Sequence, residues 1–167
     1  MTKGALDGVR VLELTHAWAG PYCGMMLGDM GAEVIKIESP RQEPEARGGY
    51  PYVGKESAIF IMLHRNKKSL TLDLKSPAGK ELFHELVRSS DVLIQNFRPG
   101  VMAKLGLTYK ELKTINPALI YATLSGYGST GPKSSLPGVN MIALADSGLA
   151  STTISEGRAP VPLGYAL

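Results

Sequence analysis

The sequence predicts an α/β fold: a mostly parallel sheet with helices on both faces. Two observations carry this reading. Short apolar, β-branched runs alternate with stretches of helical composition along the chain. The connecting segments are also long enough for the crossovers that parallel pairing requires. With 167 residues, 44% of them hydrophobic, the chain has the material for a real core. Charged residues, at 20%, are spread in both signs, which argues against a disordered tail or a charged interaction arm.

Val9 to Leu14 reads as the first strand, and Ala19-Gly20-Pro21 as the break after it. Tyr22 to Met30 then has helical composition, with Gly31 as the residue just past its end. Glu33 to Glu38 alternates as a second strand, completing a β-α-β unit. Ser39 to Glu56, rich in Pro, Gly, Arg and Glu, reads as a long surface loop, followed by a short helix over Ser57 to Leu63. Ser69 to Leu74 alternates strictly as a strand. Ser76 and Pro77 supply an N-cap and a first-turn proline for a helix through Arg88, with Leu82, Leu86 and Val87 as its buried stripe.

Asp91 to Gln95 reads as the next strand, and Asn96 to Gly100 as a turn into a helix ending near Gly106. Thr108 and Glu111 form a capping-box pair for a further helix, which Asn116-Pro117 stops. Leu119 to Leu124 is the last strand. A glycine-rich loop, Ser125 to Pro132, and a helix over Val139 to Leu149 follow it. Ligands of such sheets sit at the carboxyl ends of the strands, so the informative loops are those starting at Thr15, Ser39, Asn96 and Ser125.

Composition narrows the function. No apolar run reaches the roughly 20 residues that span a bilayer, and Met1 to Arg10 lacks the layout of a secretory signal, so we read a cytoplasmic chain with no membrane partner. Cys23 is the only cysteine, which leaves neither an internal disulfide nor a cysteine zinc framework. His16, His64 and His84 show no metal-ligand spacing, and no metal is expected. His16 is the least bland of them, since it follows the first strand directly. A net charge of +3 and a pI near 9.0 suit a small anionic ligand. No arginine-rich stripe or aromatic-interleaved basic motif points to nucleic acid.

The opening unit, ending in Glu38, has the outline of a dinucleotide site and leaves NAD binding as an alternative. Its turn, Ala19-Gly20-Pro21-Tyr22-Cys23-Gly24, departs from the Gly-x-Gly-x-x-Gly pattern that close pyrophosphate approach needs. Arg65, Lys67, Lys68, Lys75, Arg98 and Lys104 lie near element ends. As a set they suit a ligand with several phosphates; singly, each reads as a solvated charge. Asp29, Asp73, Asp91 and Asp146 show no paired arrangement.

An ordered series of motifs goes further: Leu6-Asp7-Gly8-Val9-Arg10-Val11-Leu12-Glu13, Ala19-Gly20-Pro21, Gly31 through Glu38, Asn66-Lys67-Lys68-Ser69, Leu72-Asp73-Leu74-Lys75, Asn96-Phe97-Arg98-Pro99-Gly100 and Ser125 through Pro132. Over essentially its whole length the chain resembles the class III CoA-transferases, which include formyl-CoA transferase, the carnitine and bile-acid CoA-transferases and the 2-methylacyl-CoA racemases. The resemblance implies a Rossmann-like large domain in an interlocked homodimer. Residues 1–167 would be its N-terminal part, without the small domain or the C-terminal return segment. It implies coenzyme A or acyl-CoA as substrate, a carboxylic acid as second substrate and no permanently bound cofactor. By motif match, Leu72, Lys75, Asn96, Phe97, Arg98 and Lys104 fall on CoA-contacting positions.

The resemblance also implies an aspartate nucleophile that forms an acyl-aspartyl anhydride and then an aspartyl-CoA thioester. Gly164-Tyr165-Ala166-Leu167 matches the segment before that aspartate, which is expected at the second residue beyond Leu167. No catalytic residue is therefore expected within the chain. His16, Trp18 and Asn140 are the acyl-pocket candidates. Val139 and Asn140 stand where the racemases carry a proton-shuttling His-Asp pair, which favours a transferase. Trp18 and Asn140 replace a glutamine and an acidic residue of formyl-CoA transferase, pointing to a larger or less charged acyl group than formyl or oxalyl. A non-catalytic CoA-binding fragment is the alternative from another class.

Overall fold

The structure is a computed structural model and describes residues 4–41, 49 and 51–153. It divides into two compact units, Met1–Leu124 and Ser125–Leu167. In the first, the elements run β1 (Arg10–Leu14), α1 (Ala19–Asp29), β2 (Glu33–Glu38), β3 (Tyr52–Val53), β4 (Glu56–Ser57), α2 (Ala58–Leu63), β5 (Lys67–Thr71), α3 (Pro77–Arg88), β6 (Val92–Gln95), α4 (Val101–Leu105), α5 (Tyr109–Ile115) and β7 (Ile120–Thr123). The second holds α6 (Asn140–Asp146) and a 3-10 turn, Leu149–Thr153.

The five longer strands make a wholly parallel sheet in the order β5-β2-β1-β6-β7, as the alternation of elements predicts. The chain moves outward from β1 through β2 to β5 and then returns to the other side of β1 for β6 and β7. The crevice between the carboxyl ends of β1 and β6 is therefore the switch point where α/β proteins of this kind bind ligands. Strand alternation sends Leu12, Leu14 and Leu93 to one face, packed with Phe83, Val87, Met102, Leu107, Leu112 and Leu119. Val11, Val34 and Ile94 face the other way, toward Ala32, Cys23 and Leu27.

The structure corrects the sequence reading in five places. Ala19-Gly20-Pro21 does not break the chain but forms the first turn of α1, where a proline costs no hydrogen bond because first-turn N–H groups have no helical acceptor. The third strand occupies Lys67–Thr71 rather than Ser69 to Leu74. On α3, Leu82 is exposed and Phe83 takes the buried place, with Gly79 and Val87. The last helix is Asn140–Asp146, shorter than Val139 to Leu149, and gives way to the 3-10 turn. A small ribbon, β3 with β4, also forms in the stretch read as loop and reaches one residue into the predicted helix, at Ser57.

The predicted caps form. Ser76 accepts from the Gly79 amide at 3.0 Å, and Thr108 and Glu111 make the reciprocal capping box. Gly31, at φ 103°, ends α1 as expected. α1 also carries Gly20, Gly24 and Gly28 at helical spacing. An added Cβ would lie 2.5 Å from Thr15 Cβ at Gly20 and 1.9 Å from Glu13 Oε2 at Gly24. These glycines weaken the helix intrinsically by about 1 kcal/mol each. In exchange they let its backbone settle directly on the sheet over β1.

Candidate active site at the carboxyl end of the sheet

At the switch point the structure brings His16, Asn96 and Phe97 together. The Asn96 side chain accepts from the His16 amide through Oδ1 and donates to the His16 carbonyl through Nδ2, both at 2.8 Å. The His16 and Phe97 rings lie 5.0 Å apart, tilted by 38°. Gln95 steadies the same turn: its Oε1 accepts from the Phe97 amide at 2.9 Å and its Nε2 donates to Thr123 Oγ1 at 3.0 Å. Trp18 stands at the start of α1 with 43% of its surface exposed.

Leu72 follows β5 directly and is buried in the apolar cluster against which Leu74, Phe97 and Leu105 pack. The loop beyond it is tied by Asp73, whose Oδ1 accepts from the Lys75 amide at 2.9 Å. Lys75, Arg98 and Lys104 are exposed, and none of the three forms an ion pair with another described residue. Lys75 and Arg98 stand just past the carboxyl ends of β5 and β6. Those ends lie three strand spacings apart, roughly 14 Å. Lys104 sits in the last turn of α4. Leu72, Lys75, Asn96, Phe97 and Arg98 thus follow the carboxyl ends of β5 and β6, with Leu72 and Phe97 in or against the apolar cluster and Lys75 and Arg98 exposed, while Lys104 lies on α4. Asn140 opens α6 in the second unit. Gly164 through Leu167, and the expected nucleophile after them, lie outside the described residues.

The other candidate charges have structural partners. Asp29 binds Arg65 and Asn66, and these bonds hold its carboxyl below the usual range. Asp91 accepts from the Arg10 amide at 2.8 Å. In the second unit Asp146 accepts from Tyr127 at 2.6 Å and Lys133 at 2.7 Å, which lowers its own pKa and raises theirs.

One feature was not read from the sequence: a buried ionic cluster directly under the β1–α1 turn. Glu13, with no exposed surface, lies 3.3 Å from Lys36 Nζ and 2.7 Å from Lys67 Nζ, and both lysine side chains are at most 5% exposed. The Lys67 ammonium pairs with Glu13 Oε2 and the Lys36 ammonium with Glu13 Oε1. Thr15 Oγ1 donates to Glu13 Oε1 at 2.7 Å, Lys36 donates to the Thr15 carbonyl at 2.8 Å, and Lys67 to the Pro21 carbonyl at 2.7 Å. Burial pushes the Lys67 ammonium below its ordinary pKa, against the pull of Glu13. It also raises the neighbouring Cys23 thiol, and Glu13 adds to that rise. The available signal was a charge at the centre of each of two apolar strands, Glu13 after Val11-Leu12 and Lys36 between Ile35 and Ile37.

Known proteins resemble this chain closely. It is 44% identical over 162 residues to the acetyl-CoA:oxalate CoA-transferase of Acetobacter aceti, which covers 97% of the chain and 42% of that protein. It is 44% identical over 163 residues to the succinyl-CoA:glutarate CoA-transferase of Mus musculus, covering 97% of the chain and 37% of that protein. The chain thus spans about two fifths of the length of these curated relatives. Among solved structures, Rv3272 from Mycobacterium tuberculosis superposes with a TM-score of 0.88 at 37% identity, covering 100% of this chain and 47% of that one. A CAIB/BAIF family protein from Brucella suis superposes with a TM-score of 0.88 at 38% identity, covering 98% of this chain and 44% of that one. The description of CoA-transferase family III matches residues 6–167, and the chain belongs to that family.

Proposed function

We propose that this chain is the N-terminal, CoA-binding part of the large domain of an acyl-CoA transferase. In the full-length protein, a cytoplasmic homodimer, it serves the movement of CoA between carboxylic acids. The observation that supports this reading is that Lys75 and Arg98, both exposed, follow the carboxyl ends of β5 and β6 beside apolar Leu72 and Phe97, with exposed Lys104 on the helix after β6 as a further cation. A nucleotide with several phosphates and a flat base matches that combination: Arg98 suits bidentate phosphate binding, and the lysines act as point charges. His16 and Trp18, at the β1 side of the switch point, are the acyl-end candidates of the first unit.

The chemistry is a carboxylate relay. An aspartate beyond Leu167 attacks the acyl-CoA carbonyl and expels CoA thiolate, leaving an acyl-aspartyl anhydride. The thiolate then attacks the aspartyl carbonyl, the donor acid leaves as its carboxylate, and an aspartyl-CoA thioester remains for the acceptor acid. The relatives' names pair CoA with short dicarboxylic acids, oxalate and glutarate. Trp18 and Asn140, in place of a glutamine and an acid, favour an acyl group larger than formyl.

Arg98→Ala in the full-length protein tests the phosphate role. Loss of a charge-assisted bond is expected to weaken CoA binding by about 1.5 to 3 kcal/mol, read by titration calorimetry at fixed ionic strength. An unchanged dissociation constant in the folded variant rejects it.

A further inference from the structure

We propose that Asn96 is a positioning residue, whose side chain holds the β1–α1 turn, and with it His16 and Trp18, at the acyl end of the site. The turn's own backbone makes external support necessary. Ala17, between His16 and Trp18, has φ 57°, a left-handed conformation that an alanine keeps only where its surroundings enforce it. Trp18, the N-cap residue of α1, makes no side-chain cap bond, so the helix end does not supply that enforcement.

Asn96 does. Its amide closes a ring of two 2.8 Å hydrogen bonds on the peptide groups of His16, prolonging the pairing of β1 with β6 by one step past the strand ends. The orientation of the amide is fixed, since the His16 N–H can only donate and its C=O can only accept. Steric fit locks it further: a Cβ on Gly20 would lie 3.0 Å from Asn96 Cγ, so α1 presses its first turn against the clamp. The preceding residue is anchored independently, with the Thr15 carbonyl held by buried Lys36 and its hydroxyl by Glu13. Two consecutive residues are thus immobilised before the strained Ala17. The His16 ring is set against Phe97 as a result.

The role in the site rests on the reading of this end as the acyl-CoA pocket, whereas the clamp itself is measurable without any ligand. Trp18 is the sole tryptophan of these 167 residues and, in that chain, reports on the turn directly. In Asn96→Ala the acrylamide quenching constant of Trp18 is expected to rise about twofold or more as the turn opens locally. Asn96→Asp, which keeps the acceptor for the His16 N–H but loses the donor, is expected to fall between, and it serves if the alanine variant does not fold. Asn116→Ala is the control. That amide bonds the Val87 and Ser90 carbonyls at 3.0 and 2.8 Å away from the turn, so it lowers stability and leaves Trp18 quenching unchanged.

In the full-length protein Asn96→Ala is expected to lower kcat on the order of tenfold or more, with KM for acyl-CoA moved less, because misplacing pocket groups costs most in the transition state. Wild-type quenching in a folded Asn96 variant overturns the clamp. Raised quenching with unchanged kcat overturns its role in the site. A wild-type full-length protein that neither binds CoA nor exchanges it overturns the transferase reading instead, and the quenching result still decides whether Asn96 holds the turn.

Discussion

Glu13→Gln is expected to destabilise the first unit by about 3 to 5 kcal/mol, the cost of leaving buried charge without its counter-ion. Glu13 is fully buried and is the carboxylate paired with both Lys36 and Lys67. Neutralising it leaves two ammonium groups beneath α1 with hydroxyl, amide and carbonyl oxygens and the His64 ring nitrogen, 3.4 Å from Lys67 Nζ, but no carboxylate of the described residues in contact. Lys67→Met is expected to cost distinctly less, because it leaves Glu13 and Lys36 as a balanced pair. Urea unfolding of the three proteins measures both. A Glu13→Gln variant within about 1 kcal/mol of wild type would refute a charged Glu13 as the buried counter-ion of the two lysines.

The same cluster predicts a pH dependence. Burial holds the Lys67 pKa below its ordinary value of 10.5, so between the two values the unfolded chain binds more protons than the folded one. Stability carried by this group therefore increases with pH through that window and levels off above 10.5. Urea midpoints of wild type and Lys67→Met, compared at neutral pH and near 10.5, isolate the effect. A wild-type protein that gains nothing relative to Lys67→Met contradicts it.

The second large effect is enzymatic: the 167-residue chain alone is expected to exchange no CoA, while the full-length protein does so. The proposed relay needs a carboxylate that accepts the acyl group, and the family resemblance leads us to expect that aspartate beyond Leu167. Holding CoA in the correct orientation cannot replace the covalent step. Enzymes commonly gain at least about a millionfold over the uncatalysed rate, so the loss should reach the detection limit. Purified chain incubated with acyl-CoA donors and carboxylic acids is assayed for exchanged thioesters by mass spectrometry. Reproducible exchange, with host transferases excluded, would locate the nucleophile within these residues. The reading frame downstream of codon 167 gives a separate answer: an aspartate codon there supports the transferase, and a stop supports a CoA-binding fragment.

Apart from the small β3–β4 ribbon and the closing 3-10 turn, the sequence by itself determined the order and type of the main-sheet strands and of the helices between them. Local rules govern them, as in the Ser76-Pro77 start of α3, the Thr108 and Glu111 capping box and the Gly31 end of α1. It also determined the motifs that mark the family and the loops that gather at the carboxyl end of the sheet, since alternation of strands and helices leaves little topological choice. Tertiary structure decided which charges were buried and which residues met. Glu13, Lys36 and Lys67 come from three strands, and nothing local to any of them reveals that the other two lie within ion-pair distance. The exchange of Leu82 for Phe83 on α3 has the same origin, because two neighbouring apolar residues satisfy a helical stripe almost equally until a sheet selects between them. Asn96 and His16 are eighty positions apart, and their double hydrogen bond exists only because parallel pairing sets β6 beside β1 and ends both strands at the same level.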